Sequence, residues 1–206
     1  MKNSIVISII YSLLFFSCIG PFKGNFPETQ FPAELEVVTR KAWKWKKIKG
    51  DVPIPQEIKK ITIHHGGEEF SPEKDPVQYL LNLQNWSRNE KKWVDIPYHF
   101  MIDLQGKIYE ARPLAYPGDT NTSYDPTGHA LICVMGNYEV QTLSEVQLQA
   151  VVDLTAYLAQ SYNLTIRDIG GHKDYTETLC PGKDLYRYLE DGTIPYEVNR
   201  LLKKQE

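Results

Sequence analysis

The chain has 206 residues, 42% of them apolar and 24% charged, which is enough for one sizeable globular domain and argues against a second. Its formal net charge is -3 with both signs mixed along the sequence, so it carries no electrostatic footprint for nucleic acid. Thirteen tyrosines and four tryptophans exceed what a core requires and suggest a groove for a sugar or peptide ligand.

Met1-Lys2-Asn3-Ser4 carries one positive charge, and the apolar run from Ile5 to Phe16 is too short to span a bilayer comfortably. Residues 1–17 therefore read as a secretory signal. The ending Phe15-Phe16-Ser17-Cys18 resembles a bacterial lipobox, although Phe15 stands where leucine is usual. That resemblance implies a lipidated Cys18 as first mature residue and an exported protein anchored to a membrane of the cell envelope. Residues 18–33, with Gly20, Pro21, Gly24, Pro27 and Pro32, read as a flexible spacer, and residues 34–206 as the domain. Cys133 in an apolar run and Cys180 in a ligand-like loop remain as free thiols rather than an obvious disulfide.

From Ala33 to Lys49 the pattern predicts a short element and an irregular basic arm whose lysines face solvent. Lys60-Ile61-Thr62-Ile63-His64-His65-Gly66-Gly67 predicts a buried strand that runs into a loop. Asp75 to Asn89 predicts an amphipathic helix, with Val77, Leu80, Leu81, Leu83 and Trp86 as its apolar stripe. Ile96 to Asp103 and Leu104 to Ala111 predict a hairpin around Gln105-Gly106. Pro117 to Gly128 is a polar loop of the kind that walls a cleft, and His129 to Gly136 is a further buried strand. The strongest helix signal runs from Thr142 to Tyr162, opening on Thr142-Leu143-Ser144-Glu145. A short helix is expected from Gly182 to Tyr188. Strands and helices interleave around a hairpin, so the predicted fold is α/β: one domain with a central mixed sheet flanked by helices.

His172 and Cys180 lie eight residues apart in a loop bounded by Gly171 and Pro181-Gly182. Such a loop can fold back so that an imidazole nitrogen and a thiolate converge on a borderline-soft ion such as zinc. A third ligand must come from elsewhere. His64 ends a strand and is well placed for the role; His65 and His99 compete for it, and spacing alone does not exclude them. Two histidines and a cysteine leave a fourth tetrahedral position for water, the pattern of a catalytic zinc.

The chain resembles the zinc amidases of the N-acetylmuramoyl-L-alanine amidase type, a group that includes the peptidoglycan recognition proteins. The resemblance runs from about Val38 to Tyr186. It is carried by Val38-Thr39-Arg40-Lys41-Ala42-Trp43, Ile63-His64-His65-Gly66, Leu83-Gln84-Asn85 and Trp93-Val94-Asp95-Ile96-Pro97-Tyr98-His99-Phe100. Gly106-Lys107-Ile108-Tyr109-Glu110-Ala111-Arg112, Ile132-Cys133-Val134-Met135-Gly136-Asn137-Tyr138 and the His172–Cys180 loop complete it. It implies one zinc ion per chain held by His64, His172 and Cys180. Tyr98 falls on the family's catalytic tyrosine, and Thr178 takes a place where some relatives have an assisting lysine. Thr178 cannot act as a cation, so it is limited to a hydrogen bond. The same resemblance places His65, Trp93 and His99 toward substrate, and leaves Cys133, where another branch has a catalytic glutamate, as a buried thiol. The implied reaction is metal-assisted hydrolysis of the amide joining N-acetylmuramic acid to L-alanine in peptidoglycan, by a monomer. The alternative is a peptidoglycan-binding or cell-envelope interaction protein on the same fold that does not cut.

Overall fold

The computed structural model describes residues 31–48 and 53–204. Six strands form one sheet: β1 (Val37–Val38), β2 (Lys60–His65), β3 (Phe100–Ile102), β4 (Ile108–Glu110), β5 (His129–Val134) and β6 (Ile169–Gly171). Their spatial order is β1-β4-β3-β5-β2-β6. The β3/β4 hairpin is antiparallel, whereas β1/β4, β3/β5, β2/β5 and β2/β6 are parallel, so the sheet is mixed as expected. The helices are α1 (Pro76–Asn89), α2 (Glu145–Ser161), α3 (Lys183–Glu190) and α4 (Thr193–Lys203), with 3-10 turns at Ile166–Asp168 and His172–Asp174.

The period of two along the strands divides the core between the two faces. Ile61 and Ile63 of β2 and Ala130, Ile132 and Val134 of β5 pack with Val151, Leu154 and Leu158 of α2 and with Ile194 and Val198 of α4. Each fully buried Ile, Leu or Val contributes roughly 1.5–3 kcal/mol over exposure, so these rows fix the register of β2 and β5. On the other face Met101, Cys133 and Met135 pack with Leu80 of α1, Trp43 and Ile96. His64 and Thr62 alternate with the isoleucines of β2 and so face away from the α2 layer.

Helix α1 starts where Asp75 accepts the Val77 amide at 2.9 Å, with Pro76 in the first turn. Of the expected stripe, Leu80 is buried and Val77, Leu81 and Leu83 pack half-buried against the core, whereas Trp86 is 41% exposed and Gln84 and Ser87 are buried instead. The reason is polar. Gln84 accepts the Lys46 amide at 3.1 Å and donates to the Lys46 carbonyl at 3.1 Å and to Asp95 at 2.8 Å, which turns this face inward. Helix α2 begins at Glu145 rather than Thr142, because Ser144 and Gln147 form the capping box. Thr142 and Leu143 precede it, with the Leu143 amide donated to Asp184 at 2.7 Å.

The hairpin turn falls at Gly106, whose φ of +77° suits glycine and whose missing Cβ would lie 2.7 Å from the Val146 carbonyl oxygen. Asp103 accepts the amides of Gln105 and Lys107, both at 2.9 Å, and closes this turn. The lysines Lys41, Lys44, Lys46 and Lys47 are exposed as expected, but the arm is pinned. Trp43 donates to the Glu110 carbonyl and Trp45 to the Asp95 carboxylate, each at 2.7 Å. Helix α4 was not anticipated; its inward residues Ile194 and Val198 sit at helical spacing and pack against α2.

The expected signal at 1–17, the lipidation site Cys18 and most of the 18–33 spacer lie outside the described residues. Phe31 does not behave as spacer: its ring packs 5.9 Å from Phe100 and 5.7 Å from Tyr157, so the folded part reaches back at least that far.

Candidate metal centre and cleft

Strands β5, β2 and β6 run parallel, so His64-His65 and Gly171-His172 leave the sheet at the same end. The loop after β6 then returns Cys180 to β2, where the His65 amide donates to its sulfur at 3.4 Å. One ligand atom each from His64, His172 and Cys180 lies within 4.8 Å of the others. The His64 Nδ1 atom is 3.6 Å from the Cys180 sulfur, and the two imidazole rings are 4.5 Å apart. Neither His65 nor His99 joins this set among the described residues.

The residues suit a metal. Burial, followed by the neighbouring His172, holds His64 well below the ordinary histidine pKa, and burial followed by His65 holds His172 down at about 4. Both are neutral imidazoles with a lone pair to offer at neutral pH. His172 Nδ1 is buried without a hydrogen-bond partner among the described residues, the condition of an atom kept for a ligand. Burial pushes the Cys180 thiol up to about 12 despite the opposing His65 amide, so a nearby positive charge is what would favour its thiolate. Two imidazoles and one sulfur are a donor set that zinc accepts.

The three residues open onto a cleft of about 270 Å³, also lined by His65, Tyr98, Trp86, Trp93, Thr178 and the 119–122 loop. Tyr98 sits with its ring 5.2 Å from that of His64. Burial of its hydroxyl, reinforced by the Cys133 and Cys180 thiols, pushes its pKa well above the ordinary phenol value, so it stays a donor. Thr178 accepts the Cys180 amide at 3.2 Å, which ties its hydroxyl to the loop. Cys133 is fully buried, as expected of an apolar thiol.

His99 is a correction. It is fully buried and off the cleft, with Nδ1 accepting the Leu131 amide at 2.8 Å and Nε2 donating to the Tyr116 carbonyl at 2.9 Å. Both ring nitrogens are taken by backbone, so it ties β5 to the loop after β4 and has nothing left for substrate.

Three features of the site had no signal of their own in the sequence. Thr122 contacts His172 Nε2 at 2.8 Å, and the Tyr124 hydroxyl lies 3.4 Å from His64 Nε2. Both sit among ordinary turn formers. Arg112 is 1% exposed and donates to the carbonyls of Ile96 at 2.7 Å and Asp95 at 2.8 Å, as well as to Pro117 and the Asp119 carboxylate. It thereby joins the segment leading to Tyr98 to the loop after β4, whose Asp119 amide also donates to the Pro97 carbonyl at 3.3 Å.

A mixed sheet with flanking helices and, among the described residues, one three-donor cluster at its strand ends defines an α/β domain with a candidate metal site. Residues 54–183 match the N-acetylmuramoyl-L-alanine amidase family, and the chain belongs to that family. It is 29% identical over 172 residues to peptidoglycan-recognition protein SD of Drosophila simulans, covering 76% of this chain and 86% of that protein. Peptidoglycan recognition protein 1 of Mus musculus is 26% identical over 157 residues, covering 75% and 86%. The crystal structure of the Drosophila recognition protein SD matches with a TM-score of 0.66 at 27% identity, over 75% of this chain and 92% of that one. The amidase LysC of Clostridium intestinale shares the fold, with a TM-score of 0.64 at 22% identity over 79% and 97%.

Proposed function

We propose that this protein hydrolyses the amide between N-acetylmuramic acid and L-alanine in peptidoglycan, with one zinc ion held by His64, His172 and Cys180. The observation that carries the reading is the convergence of those three donors within 4.8 Å at the floor of an open cleft, beside Tyr98. A zinc ion there supplies Lewis-acid polarisation of the amide carbonyl and activation of water.

The chain's own residues supply the rest. Tyr98 donates its hydroxyl proton in a hydrogen bond to the carbonyl oxygen as negative charge develops on it. His65 Nδ1 accepts the Tyr138 amide at 3.1 Å, so the neutral ring carries its proton on Nε2 and offers a fixed donor to substrate. Thr178 steadies the Cys180 amide, and Trp93 with Trp86 gives an aromatic wall, their rings 5.8 Å apart edge to face.

The second reading, binding without cutting, draws on the names of the relatives, which include peptidoglycan recognition proteins. Metal content and stem-peptide release from peptidoglycan, measured together on wild type, His64→Ala, His172→Ala and Cys180→Ser, separate the two. Hydrolysis predicts stoichiometric zinc and release in wild type, both lost in the variants. Wild-type protein that pellets with peptidoglycan and releases nothing would establish the binding reading instead.

We further propose export with a lipid on Cys18, at the cell envelope where this substrate lies. Mass spectrometry of the mature N-terminus checks it: a chain beginning elsewhere than at an acylated Cys18 rejects the anchor.

A further inference from the structure

The two ligand histidines share an arrangement beyond the metal-facing atoms. His64 presents Nδ1 to Cys180, and His172 Nδ1 is the buried atom without a partner. Both Nε2 atoms point to one segment, the loop between β4 and β5. There Thr122 Oγ1 lies 2.8 Å from His172 Nε2, and Tyr124 Oη lies 3.4 Å from His64 Nε2.

That segment is itself held in place. Thr120 Oγ1 accepts the Thr122 amide at 3.1 Å and lies 2.8 Å from Thr122 Oγ1. The Tyr124 ring stacks on Tyr175 at 5.7 Å and an interplanar angle of 21°, and tilts against His172 at 5.0 Å. Three hydroxyl and imidazole groups can then order their protons in one direction. His172 Nε2–H donates to Thr122, and the Thr122 hydroxyl donates to Thr120.

We propose that Thr122 and Tyr124 are positioning residues, which fix both imidazoles as Nε2–H tautomers and so leave both Nδ1 lone pairs free for a metal. An imidazole that donates one N–H to a fixed acceptor is held in tautomer and orientation for a metal at its other nitrogen. This rests on the zinc reading above. It goes beyond it by assigning ligand orientation to a loop that contributes no ligand.

The experiment uses the full chain and zinc itself. Zinc affinity is measured by competition with a chromophoric chelator for wild type, Thr122→Val, Thr122→Ser and Tyr124→Phe. Long-range 15N–1H NMR reads the imidazole tautomers of the metal-free protein. Thr122→Val should bind zinc about 10- to 100-fold more weakly. Thr122→Ser, which keeps the hydroxyl, should restore affinity to within about threefold, and Tyr124→Phe should cost less than Thr122→Val because its contact is longer. Wild-type His172 should appear as the Nε2–H tautomer before metal is added.

Wild-type affinity in Thr122→Val would overturn the proposal. So would a metal-free His172 that carries its proton on Nδ1, a measurement that needs no variant to fold. His172→Ala is the control for the underlying site: if it binds zinc as wild type does, the metal site itself is wrong and the positioning role falls with it. If only Thr122→Val is silent, the site stands and the positioning role alone is rejected.

Discussion

The backbone amide of Tyr138 donates to His65 Nδ1 at 3.1 Å and decides what His65 can do. Protonating the ring would set an N–H against an N–H, and burial already lowers its pKa from the ordinary value. His65 is therefore a fixed donor rather than a proton carrier. Its tautomer should read Nε2–H by 15N NMR, and its ring should remain neutral as the pH falls through 6.5, the usual histidine midpoint. In the proposed amidase, His65→Phe should raise KM roughly 3- to 10-fold with kcat little changed, the worth of one hydrogen bond. A kinetic midpoint in the wild type that vanishes in His65→Phe would contradict this assignment.

Tyr98 has a different dependence. Tyr98→Phe removes the hydroxyl and leaves the three donors intact, so zinc content should stay at the wild-type level. Stem-peptide release should fall on the order of 10²- to 10³-fold, the usual cost of one donor to a developing oxyanion. Release at the wild-type rate would take Tyr98 out of the reaction.

Buried histidines also set how the metal-free protein responds to acid. Burial lowers His99 to about 3 and His129 to about 4, whereas in the unfolded chain both titrate near 6.5. Between those values the unfolded state binds more protons than the fold does, so stability rises with pH across this window. It is fully present above about 6.5 and is lost progressively as the pH falls toward 3–4. Denaturant titrations of chelator-treated protein at pH 7, 5.5 and 4.5 should show a falling midpoint, with a shallower fall in His129→Gln. A midpoint flat across the three would be inconsistent with neutral buried rings.

Asp95 is the carboxylate on which the Tyr98 segment hangs. It is fully buried, accepts from Trp45 at 2.7 Å and Gln84 at 2.8 Å, and pairs with Arg88 at 3.1 Å. Asp95→Ala leaves those donors without their shared acceptor and should destabilise the protein by about 3 kcal/mol or more. Urea unfolding reads this directly. A loss under 1 kcal/mol would mean that water replaces the carboxylate at little cost.

The sequence carried the parts of this site that chemistry makes rare. A histidine at a strand end and a histidine and cysteine in one glycine-bounded loop are unusual enough to point to a metal, and ordered motifs selected His64 over His65 and His99. Hydrophobic period gave β2, β5, α1 and α2. It placed Trp86 wrongly on the inner face of α1 and missed Gln84, which is buried by partners that lie 38 residues upstream and 11 downstream, which no local pattern records. His99 looked like a functional histidine for the same reason: the amide and carbonyl that occupy it come from Leu131 and Tyr116. Thr122 and Tyr124 lay in a polar loop where threonine and tyrosine are unremarkable, and only the fold sets them against the imidazoles.

Arg112 gives the cleft a mechanical property. One planar, buried guanidinium holds the Asp95-Ile96 backbone together with Pro117 and Asp119. The Asp119 amide also donates to the Pro97 carbonyl at 3.3 Å, so the stretch before Tyr98 and the loop after β4 form one braced wall of the cleft. Side chains along the rim can then be exchanged to suit one stem peptide or another while that wall keeps its shape.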